Sequence, residues 1–421
     1  MSSVARICAF ETPSIFHEMP EVIESTAEMA ILVQGRVWRL PEGVWYKIGA
    51  DRHAQIRVNH PHVSGRHAVI RRLGRRIEVL DSQSTNGVWW KGERREEISI
   101  EGNDVFLLGT TPVVVVEVGI SEKYKNAYRW CDMVLMPSSN PLVERVARMA
   151  MQSDSVMVLG ESGTGKEHIA RAIHAMSHRS DKPFVALNCA ALPDNLAEGE
   201  LFGVQRGAFT GADRTRDGLF GRANGGTLFL DEVGELSPAV QSKLLRVLET
   251  QMIHPVGGGT PRRVDVRVIT ATWRSLEAST TFRHDLYQRL HILPVHLKPL
   301  RTRRNEIGPL LELFLRERRA IRFWPTDDQL ALIVSADWPG NVRELRSRVI
   351  RCACTGQIKD LIPDGGSGSV IRLPRRGRSD SERTKRRILR CLELHHGNRS
   401  AAARELGISR STLYRWLDRS G

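Results

Sequence analysis

The fold is decided by one short stretch of the sequence, Val156-Met157-Val158-Leu159-Gly160-Glu161-Ser162-Gly163-Thr164-Gly165-Lys166-Glu167. Four apolar residues that suit a buried strand lead into a glycine-rich turn, and residues 168–175 then follow the pattern of a helix. The turn has the spacing G-x-x-x-x-G-K, in which backbone N–H groups surround phosphates while the lysine reaches the terminal ones. Residues 160–167 are therefore predicted to hold the phosphates of a nucleotide.

A second stretch places two acids at the end of an apolar run, Gly225-Gly226-Thr227-Leu228-Phe229-Leu230-Asp231-Glu232. Unpaired buried charge is costly, so adjacent carboxylates after a buried strand indicate a site. We expect Asp231 to hold Mg²⁺ and Glu232 to polarise the attacking water in phosphoryl transfer. The alternative is a structural salt bridge. Glu167 occupies the place of the usual Ser or Thr, so this loop offers no hydroxyl ligand for Mg²⁺ after its lysine.

Composition bounds the class of protein. The chain has 421 residues, of which 41% are hydrophobic, which excludes a wholly disordered chain and suggests two to four domains. No apolar run approaches the roughly 20 residues of a membrane span, and residues 1–20 lack the layout of a secretory signal. We therefore expect a cytoplasmic protein with no membrane partner. The six cysteines form no C-x-x-C pair and no zinc-finger spacing.

The positive charge is concentrated at the C-terminal end. The formal net charge is +14, yet residues 1–136 hold 17 basic and 17 acidic side chains. Residues 365–421 hold 14 basic and 5 acidic side chains, which is typical of an appended nucleic-acid-binding module. A solvated basic tail is the alternative.

Sequence texture divides the chain into segments. Short β-rich runs broken by turn residues between residues 30 and 118 predict a β-sandwich, whereas alternating helix and strand patterns up to about residue 300 predict a doubly wound α/β domain. The predicted organisation is an N-terminal extension (1–29), a β-sandwich (30–120), a linker (121–136), an α/β domain (137–300), an α-helical lid (301–362), a second linker (363–380) and a helical C-terminal module (381–421).

Four further motifs resemble the AAA+ domain of bacterial enhancer-binding proteins, which activate sigma-54 RNA polymerase. These motifs are Leu187-Asn188-Cys189-Ala190-Ala191-Leu192, Gly207-Ala208-Phe209-Thr210-Gly211-Ala212, Phe282-Arg283-His284-Asp285-Leu286-Tyr287-Gln288-Arg289-Leu290 and Trp338-Pro339-Gly340-Asn341-Val342-Arg343-Glu344-Leu345. The resemblance covers about residues 137–362, and the motif at residues 207–212 is very specific.

The resemblance implies an ATPase that uses ATP and Mg²⁺ and works as a ring, with six subunits as the family expectation. Asn188 would link the nucleotide state to Glu232, and Arg283 and Arg289 would reach the ATP of a neighbouring subunit. Arg343 would sense the bound phosphates from the lid. The motif at residues 207–212 would contact sigma-54, and its glycines and its aromatic Phe209 suit an exposed loop that touches a partner. An ordinary turn with Phe209 folded inward is the alternative.

One residue departs from that family. The chain has Ala271-Thr272-Trp273 where the family usually has Ala-Thr-Asn. Trp273 offers a hydrogen-bond donor only and cannot act as an amide does. We therefore expect slow or rearranged hydrolysis.

The N-terminal segment resembles a forkhead-associated (FHA) domain, a β-sandwich that binds phosphothreonine. The matching residues are Ile48-Gly49, Ser64-Gly65-Arg66-His67 and Ser84-Thr85-Asn86-Gly87. Ser64, Thr85 and Asn86 would supply donors and Arg66 a cation for the dianionic phosphate. Ala50 stands where the family normally has arginine, and Arg52 is our candidate substitute. The partner would be a phosphothreonine protein or a Ser/Thr kinase. A sandwich that only packs on the ATPase is the alternative.

The C-terminal segment has the layout of a helix-turn-helix. Residues 399–406 and 410–417 are helical in pattern and are separated by Gly407-Ile408-Ser409, with Ser409 as the capping residue. This segment resembles the Fis-type domain that ends these activators. Its DNA-contacting candidates are Arg399, Ser409, Arg410, Ser411, Thr412, Tyr414 and Arg415.

These observations favour an ATP-driven transcription activator that binds enhancer DNA, forms a ring and remodels sigma-54 RNA polymerase holoenzyme, with phosphothreonine input. The alternative is a DNA-bound, phosphothreonine-responsive scaffold or repressor with little ATP turnover, which Trp273 favours. A phosphothreonine adaptor with a vestigial motor is a third possibility.

Overall fold

The computed structural model describes residues 28–102, 104–121, 123–208 and 214–363, with only the backbone of Asn195. The first part is a β-sandwich, as predicted. Its strands are β1 Glu28–Val33, β2 Arg36–Arg39, β3 Tyr46–Gly49, β4 Ile56–Arg57, β5 Ala68–Leu73, β6 Arg76–Asp81, β7 Val88–Trp90, β8 Glu93–Arg95, β9 Glu97–Glu101, β10 Val105–Leu108, β11 Thr111–Val118, β12 Tyr128–Trp130 and β13 Met133–Leu135. One sheet has the order β13-β12-β11-β10-β7-β8, with β1 paired to β11 and β2 paired to β1, and the other has the order β4-β3-β5-β6-β9.

The segment expected to be a linker, residues 121–136, differs from the prediction. Its second half forms a hairpin, in which β12 pairs with β11 through Val118 and Tyr128 and β13 then pairs with β12. Three-residue strands leave almost no alternating pattern in the sequence, and the burial of Tyr128 and Trp130 holds the hairpin against the rest of the molecule. The sandwich therefore continues almost to the start of the next domain.

The second part is a doubly wound α/β domain, which confirms the predicted fold class. Its strands are β14 Val156–Leu159, β15 Phe184–Asn188, β16 Thr227–Asp231, β17 Met252–Ile253, β18 Arg262–Arg263, β19 Arg267–Thr272 and β20 Leu293–His296, and its helices are α1 Asn140–Ala150, α2 Lys166–Ala175, α3 Asp194–Phe202, α4 Leu219–Arg222, α5 Pro238–Thr250 and α6 His284–Leu290. Five strands form a parallel sheet in the order β15-β16-β19-β14-β20. Because the strands are parallel, the residues that follow β14, β15, β16 and β19 meet at one edge.

The third part is a helical lid. Its helices are α7 Ile307–Glu317, α8 Asp327–Ser335 and α9 Asn341–Thr355. A capping box between Thr326 and Gln329 starts α8, and the buried Trp338, whose Nε1 donates to Ile333 O at 2.8 Å, fixes the turn into α9.

Strand β11 divides two hydrophobic cores. Val113 and Val115 face the core between the two sheets of the sandwich. Val114 and Val116 belong instead to a core that includes Val143 of α1 and residues of α2. Burial of one valine side chain contributes about 1.5–3 kcal/mol, so separating the sandwich from α1 would be strongly unfavourable. The sandwich is thus packed on the α/β domain as a fixed neighbour.

No helix in the described part of the chain is long and apolar enough to cross a membrane. Residues 364–421, which include the predicted helix-turn-helix, lie outside the described residues.

Candidate functional site

The glycine-rich loop turns sharply between β14 and α2. The N–H of Gly160 donates to Thr272 O at 3.2 Å, which ties the start of the loop to the end of β19. Gly163 and Gly165 have φ values of +75° and +106°, in the left-handed region that favours glycine. A Cβ on Gly163 would lie 2.3 Å from the carbonyl oxygen of Gly340, so the loop also needs a glycine for its approach to the lid.

Lys166 lies inside the loop and is only 6% exposed. Its Nζ is 3.1 Å from Gly160 O and 3.3 Å from Glu232 Oε1. Glu232 itself has φ +54°, a strained value for a residue with a side chain, which aims its carboxylate back toward the lysine. The structure therefore brings Lys166 to Glu232, which lies 66 residues further along the chain, and Asp231 directly precedes Glu232 at the end of β16.

Asp231 is the last residue of β16 and accepts a hydrogen bond from the N–H of Glu232 at 3.0 Å. Burial, and then the nearby carboxylate of Glu232, raise the pKa of Asp231 above its ordinary value. A bound divalent cation would stabilise the charged form of this carboxylate. Mg²⁺ suits the position, because it binds through one or two carboxylates together with substrate phosphates. The donor set at this edge thus suits the Mg²⁺ expected from the sequence.

Asn188 lies directly across the sheet from Asp231, as its register partner between β15 and β16. Its Oδ1 accepts a hydrogen bond from the N–H of Ala190 at 3.0 Å and caps a short 3-10 turn. The structure thus places Asn188 at the predicted edge. Its proposed link to Glu232 stays a prediction.

The lid contacts the glycine-rich loop through hydrogen bonds and an ion pair that the sequence did not predict. Arg301 holds both carboxylate oxygens of Glu161, at 2.7 and 2.5 Å, and Asn341 Nδ2 donates to Ser162 O at 3.0 Å. The hydrogen bonds from Arg301 lower the pKa of the Glu161 carboxyl below its ordinary value. The basic run at residues 301–304 was a possible signal. Its partner in the loop lies 140 residues away, so spacing could not reveal the pair.

Arg343 and Glu167 lie at the two flanks of the loop. Arg343, in the first turn of α9, donates from Nη1 to Ser162 Oγ at 2.9 Å, and its role as a phosphate sensor stays a prediction. Glu167 is half exposed and pairs with Arg171 one turn along α2, at 2.8 Å. Its carboxylate is therefore held on the outer face of α2.

The two predicted arginine fingers lie on or beside α6 and bond to residues of α5 and α6. Arg283 forms a bidentate pair with Asp285, with the shorter contact at 2.7 Å, and also donates to Ser242. Arg289 donates to Leu248 O at 3.2 Å and lines a cavity of about 160 Å³. Within the described residues, neither arginine bonds to residues 160–167. They remain candidates for contact with another subunit.

Trp273 follows β19 at the same edge as the acids. Its side chain is 57% exposed, and the guanidinium of Arg274 lies 5.3 Å from its ring centroid. Arg274 in turn pairs with Glu235 at 2.6 Å, just after the acidic pair. A large exposed ring therefore occupies the position of the usual amide.

The predicted sigma-54 contact motif is described only at its base. Gly207, with φ +81°, and Ala208 are described, whereas Phe209, Thr210, Gly211 and Ala212 lie outside the described residues. Residues 204 and 216 pair through two backbone hydrogen bonds of 3.0 and 2.9 Å, and these close the base of the excursion.

The predicted phosphothreonine residues lie on neighbouring loops of the sandwich. Ser64 Oγ accepts a hydrogen bond from the N–H of Thr85 at 3.1 Å, and Asn86 Nδ2 donates to His62 O at 3.0 Å. Arg52 and Arg66 are exposed. An added Cβ on Gly49 would lie 2.2 Å from Gly65 O, so this glycine allows the two loops to meet. Ala50, half-buried, packs against the core. The structure brings the set together on one side, and its ligand stays a prediction.

Comparison with known proteins identifies the family. Family models match the Sigma-54 interaction domain at residues 135–296, the AAA+ ATPase lid domain at 301–364, the FHA domain at 46–109 and the Fis family of bacterial regulatory proteins at 382–419. The chain is 43% identical over 300 residues to the transcriptional regulatory protein ZraR of Klebsiella oxytoca, with 67% of each chain covered. The chain belongs to the sigma-54-dependent transcriptional regulators.

Two further proteins are similar to this chain over a comparable length. The chain is 42% identical over 308 residues to the regulatory protein AtoC of Escherichia coli strain K12, with 68% of this chain and 66% of AtoC covered. The crystal structure of NtrX from Brucella abortus is similar at 35% identity and a TM-score of 0.50, with 66% and 67% of the two chains covered. This sigma-54-dependent regulator is therefore an AAA+ ATPase with an FHA domain before the motor and a Fis-type helix-turn-helix after it.

The DNA-contacting candidates of this regulator cannot be placed in the same way. Arg399, Ser409, Arg410, Ser411, Thr412, Tyr414 and Arg415 all lie outside the described residues. They fall within the match to the Fis family. Their individual roles stay predictions.

Proposed function

We propose that this regulator binds enhancer DNA, assembles into a ring and uses ATP hydrolysis to remodel sigma-54 RNA polymerase holoenzyme for open-complex formation. The observation that carries the proposal is the convergence of Lys166, Asp231 and Glu232 at one edge of the parallel sheet. This set suits phosphoryl transfer, because it places a cation and two carboxylates, one of them destabilised, beside a phosphate-binding loop.

Each residue has a distinct task in this mechanism. Backbone N–H groups of residues 160–165 and the N-terminus of α2 bind the phosphates, and Lys166 moves from Glu232 to the terminal phosphate. Glu232, freed from the lysine, orients the attacking water and accepts its proton. Asp231 would hold Mg²⁺, which supplies neutralisation of phosphate charge when bound. Arg343 would report occupancy to the lid through the loop residue Ser162.

Hydrolysis would depend on assembly. Within the described residues, Arg283 and Arg289 bond to residues of α5 and α6 and not to residues 160–167, so we expect both to act on the ATP of another subunit. An arginine supplied from a neighbour is worth about 10³–10⁵ in rate in related phosphoryl transfers. We therefore expect the isolated subunit to hydrolyse ATP very slowly and the ring to be active.

The sandwich would receive the input signal. Ser64, Thr85 and Asn86 lie close together with Arg66 exposed nearby, a donor set that suits a phosphothreonine side chain. We propose that a phosphothreonine protein, made by a Ser/Thr kinase, binds at this place. Residues 381–421 would anchor the ring to enhancer DNA.

A second candidate function rests on Trp273. The exposed ring at the end of β19 provides no amide for the phosphates, which favours a DNA-bound scaffold or repressor with little ATP turnover. Open-complex formation on a sigma-54 promoter separates the two candidates when ATP is compared with a non-hydrolysable analogue. The activator requires open complexes with ATP only. Equal yields, or none with either nucleotide, would favour the scaffold.

A further inference from the structure

We propose that Glu306 is a positioning residue for nucleotide binding, and that it links the β-sandwich to the backbone of the phosphate loop. Glu306 immediately precedes α7 and is fully buried. A buried carboxylate is costly unless it is paired, so its partners define its task. The proposal concerns nucleotide binding and holds whether or not the motor remodels sigma-54.

On one side, Glu306 is linked to the phosphate loop through Arg303. Its Oε2 lies 3.0 Å from Arg303 Nη1, and Arg303 Nη2 donates to the carbonyl oxygen of Thr164 at 2.8 Å. Thr164 is 4% exposed and lies two residues before Lys166. Because carboxylate and guanidinium are both held in a dry environment, the pair sets the position of the Thr164 carbonyl.

On the other side, Glu306 reaches the element on which the sandwich packs. Ser139 Oγ, just before α1, donates to Glu306 Oε1. The next residue, Asn140, is held twice by the sandwich: it accepts from Tyr128 Oη at 2.7 Å and donates to Gly35 O at 2.9 Å. Gly35 N also donates to Glu144 Oε1 at 2.6 Å.

The contacts continue toward the predicted phosphothreonine loops. The side chain of Gln34 exchanges two hydrogen bonds with the backbone of Asn59, at 3.0 and 3.1 Å. Asn59 lies three residues before His62, whose carbonyl accepts from Asn86. The start of α1 therefore contacts the sandwich through Asn140 and is linked to the phosphate loop through Glu306 and Arg303.

The same lid helix carries a natural control. Glu312 of α7 is 1% exposed, accepts from Ser121 Oγ at 2.5 Å and pairs with Arg316 at 3.0 Å. It thus repeats the Ser–Glu–Arg arrangement of residues 139, 306 and 303. Among the described residues, Glu312 makes no bond to the phosphate loop. A purely structural role predicts the same effect on ATP binding for both carboxylates.

The test compares Glu306→Gln with Glu312→Gln in the full-length protein. ATP affinity is measured by direct titration, KM and kcat by steady-state hydrolysis, and folding by thermal unfolding. We expect both variants to melt at a lower temperature, while Glu306→Gln alone weakens ATP binding and raises KM about tenfold. Equal ATP affinities for the two variants would overturn the proposal.

A double-mutant cycle tests the link to the sandwich. Asn140→Ala should weaken ATP binding in the same direction, and the double variant with Glu306→Gln should bind ATP no more weakly than Glu306→Gln alone. Multiplicative losses would contradict a shared route. If Glu306→Gln does not fold, Ser139→Ala against Ser121→Ala gives the same comparison with one hydroxyl each. Only Ser139→Ala should weaken ATP binding, and equal affinities would again overturn the proposal.

Discussion

Lys166 Nζ lies 3.3 Å from Glu232 Oε1, so the phosphate-binding cation and the proposed general base are partners in this structure. The pair lies in a confined place, with side-chain exposures of 6% and 15%. A terminal phosphate must therefore compete with Glu232 for the lysine. Nucleotide binding would therefore release Glu232, the proposed general base, from Lys166.

The first prediction follows from that competition. Glu232→Gln should reduce ATP turnover by at least about 100-fold, because a general base contributes roughly 10²–10⁴ in rate. ATP affinity should be kept or increased, since the lysine loses a competing negative charge. Turnover and ATP titration measure the two effects separately. Glu198→Gln, which removes a carboxylate paired with Lys243 instead, is the matched control. Lost ATP binding in Glu232→Gln would contradict the assigned role.

The second prediction concerns Asp231. Burial and Glu232 raise its pKa in the folded state, so the ionised carboxylate opposes folding. The protonated side chain of Asp231 therefore contributes fully to folding stability below its ordinary pKa of 3.8. That contribution is lost as the pH rises through the raised pKa of the folded state. Asp231→Asn should therefore raise the melting temperature of the nucleotide-free protein by a few degrees at neutral pH and abolish hydrolysis. The difference in melting temperature should shrink as pH falls. A lower melting temperature at neutral pH would contradict this account.

The third prediction concerns Trp273. Trp273→Asn should raise ATP turnover, because an amide at the end of β19 can both donate and accept hydrogen bonds where the indole only donates. Trp273→Phe is the control, since it keeps the aromatic ring without an amide and should not raise kcat. An unchanged or lower kcat for Trp273→Asn would count against the idea.

The fourth prediction concerns the sandwich. Arg66→Ala should weaken binding of phosphothreonine peptides about tenfold or more, because a charge-assisted contact to the phosphate is lost. Peptide-array binding followed by titration of the best peptide measures the effect, with the unphosphorylated peptide as reference. Arg76→Ala, at the exposed start of β6, should leave binding unchanged. If no phosphothreonine peptide binds the wild type, the input proposal fails.

The sequence alone predicted the elements that carry strong local patterns. The apolar run at residues 156–159, the glycine spacing and the acids at 231 and 232 each signal their own structure, and the structure places them at one edge. Local pattern could not show what covers the second face of β11, because a continuous valine run reads the same whether its outer face meets a sheet or a helix. The sequence therefore did not predict the core that β11 shares with Val143 of α1.

Contacts between distant segments escaped prediction for a similar reason. Arg301 and Glu161 are 140 residues apart, and a surface arginine in a basic run gives no hint of its partner. The sequence pattern predicts a linker where the hairpin of β12 and β13 lies, because three-residue strands show too little alternation. Both features depend on tertiary packing, which periodicity does not report.

The central claim is that ATP hydrolysis drives remodelling of sigma-54 holoenzyme through the motif at residues 207–212. The most direct measurement is open-complex formation on a sigma-54 promoter with wild type and Thr210→Ala, with ATP turnover measured in the same samples. The account predicts that Thr210→Ala hydrolyses ATP at close to the wild-type rate yet forms few or no open complexes. Equal open-complex formation by the two proteins would contradict it.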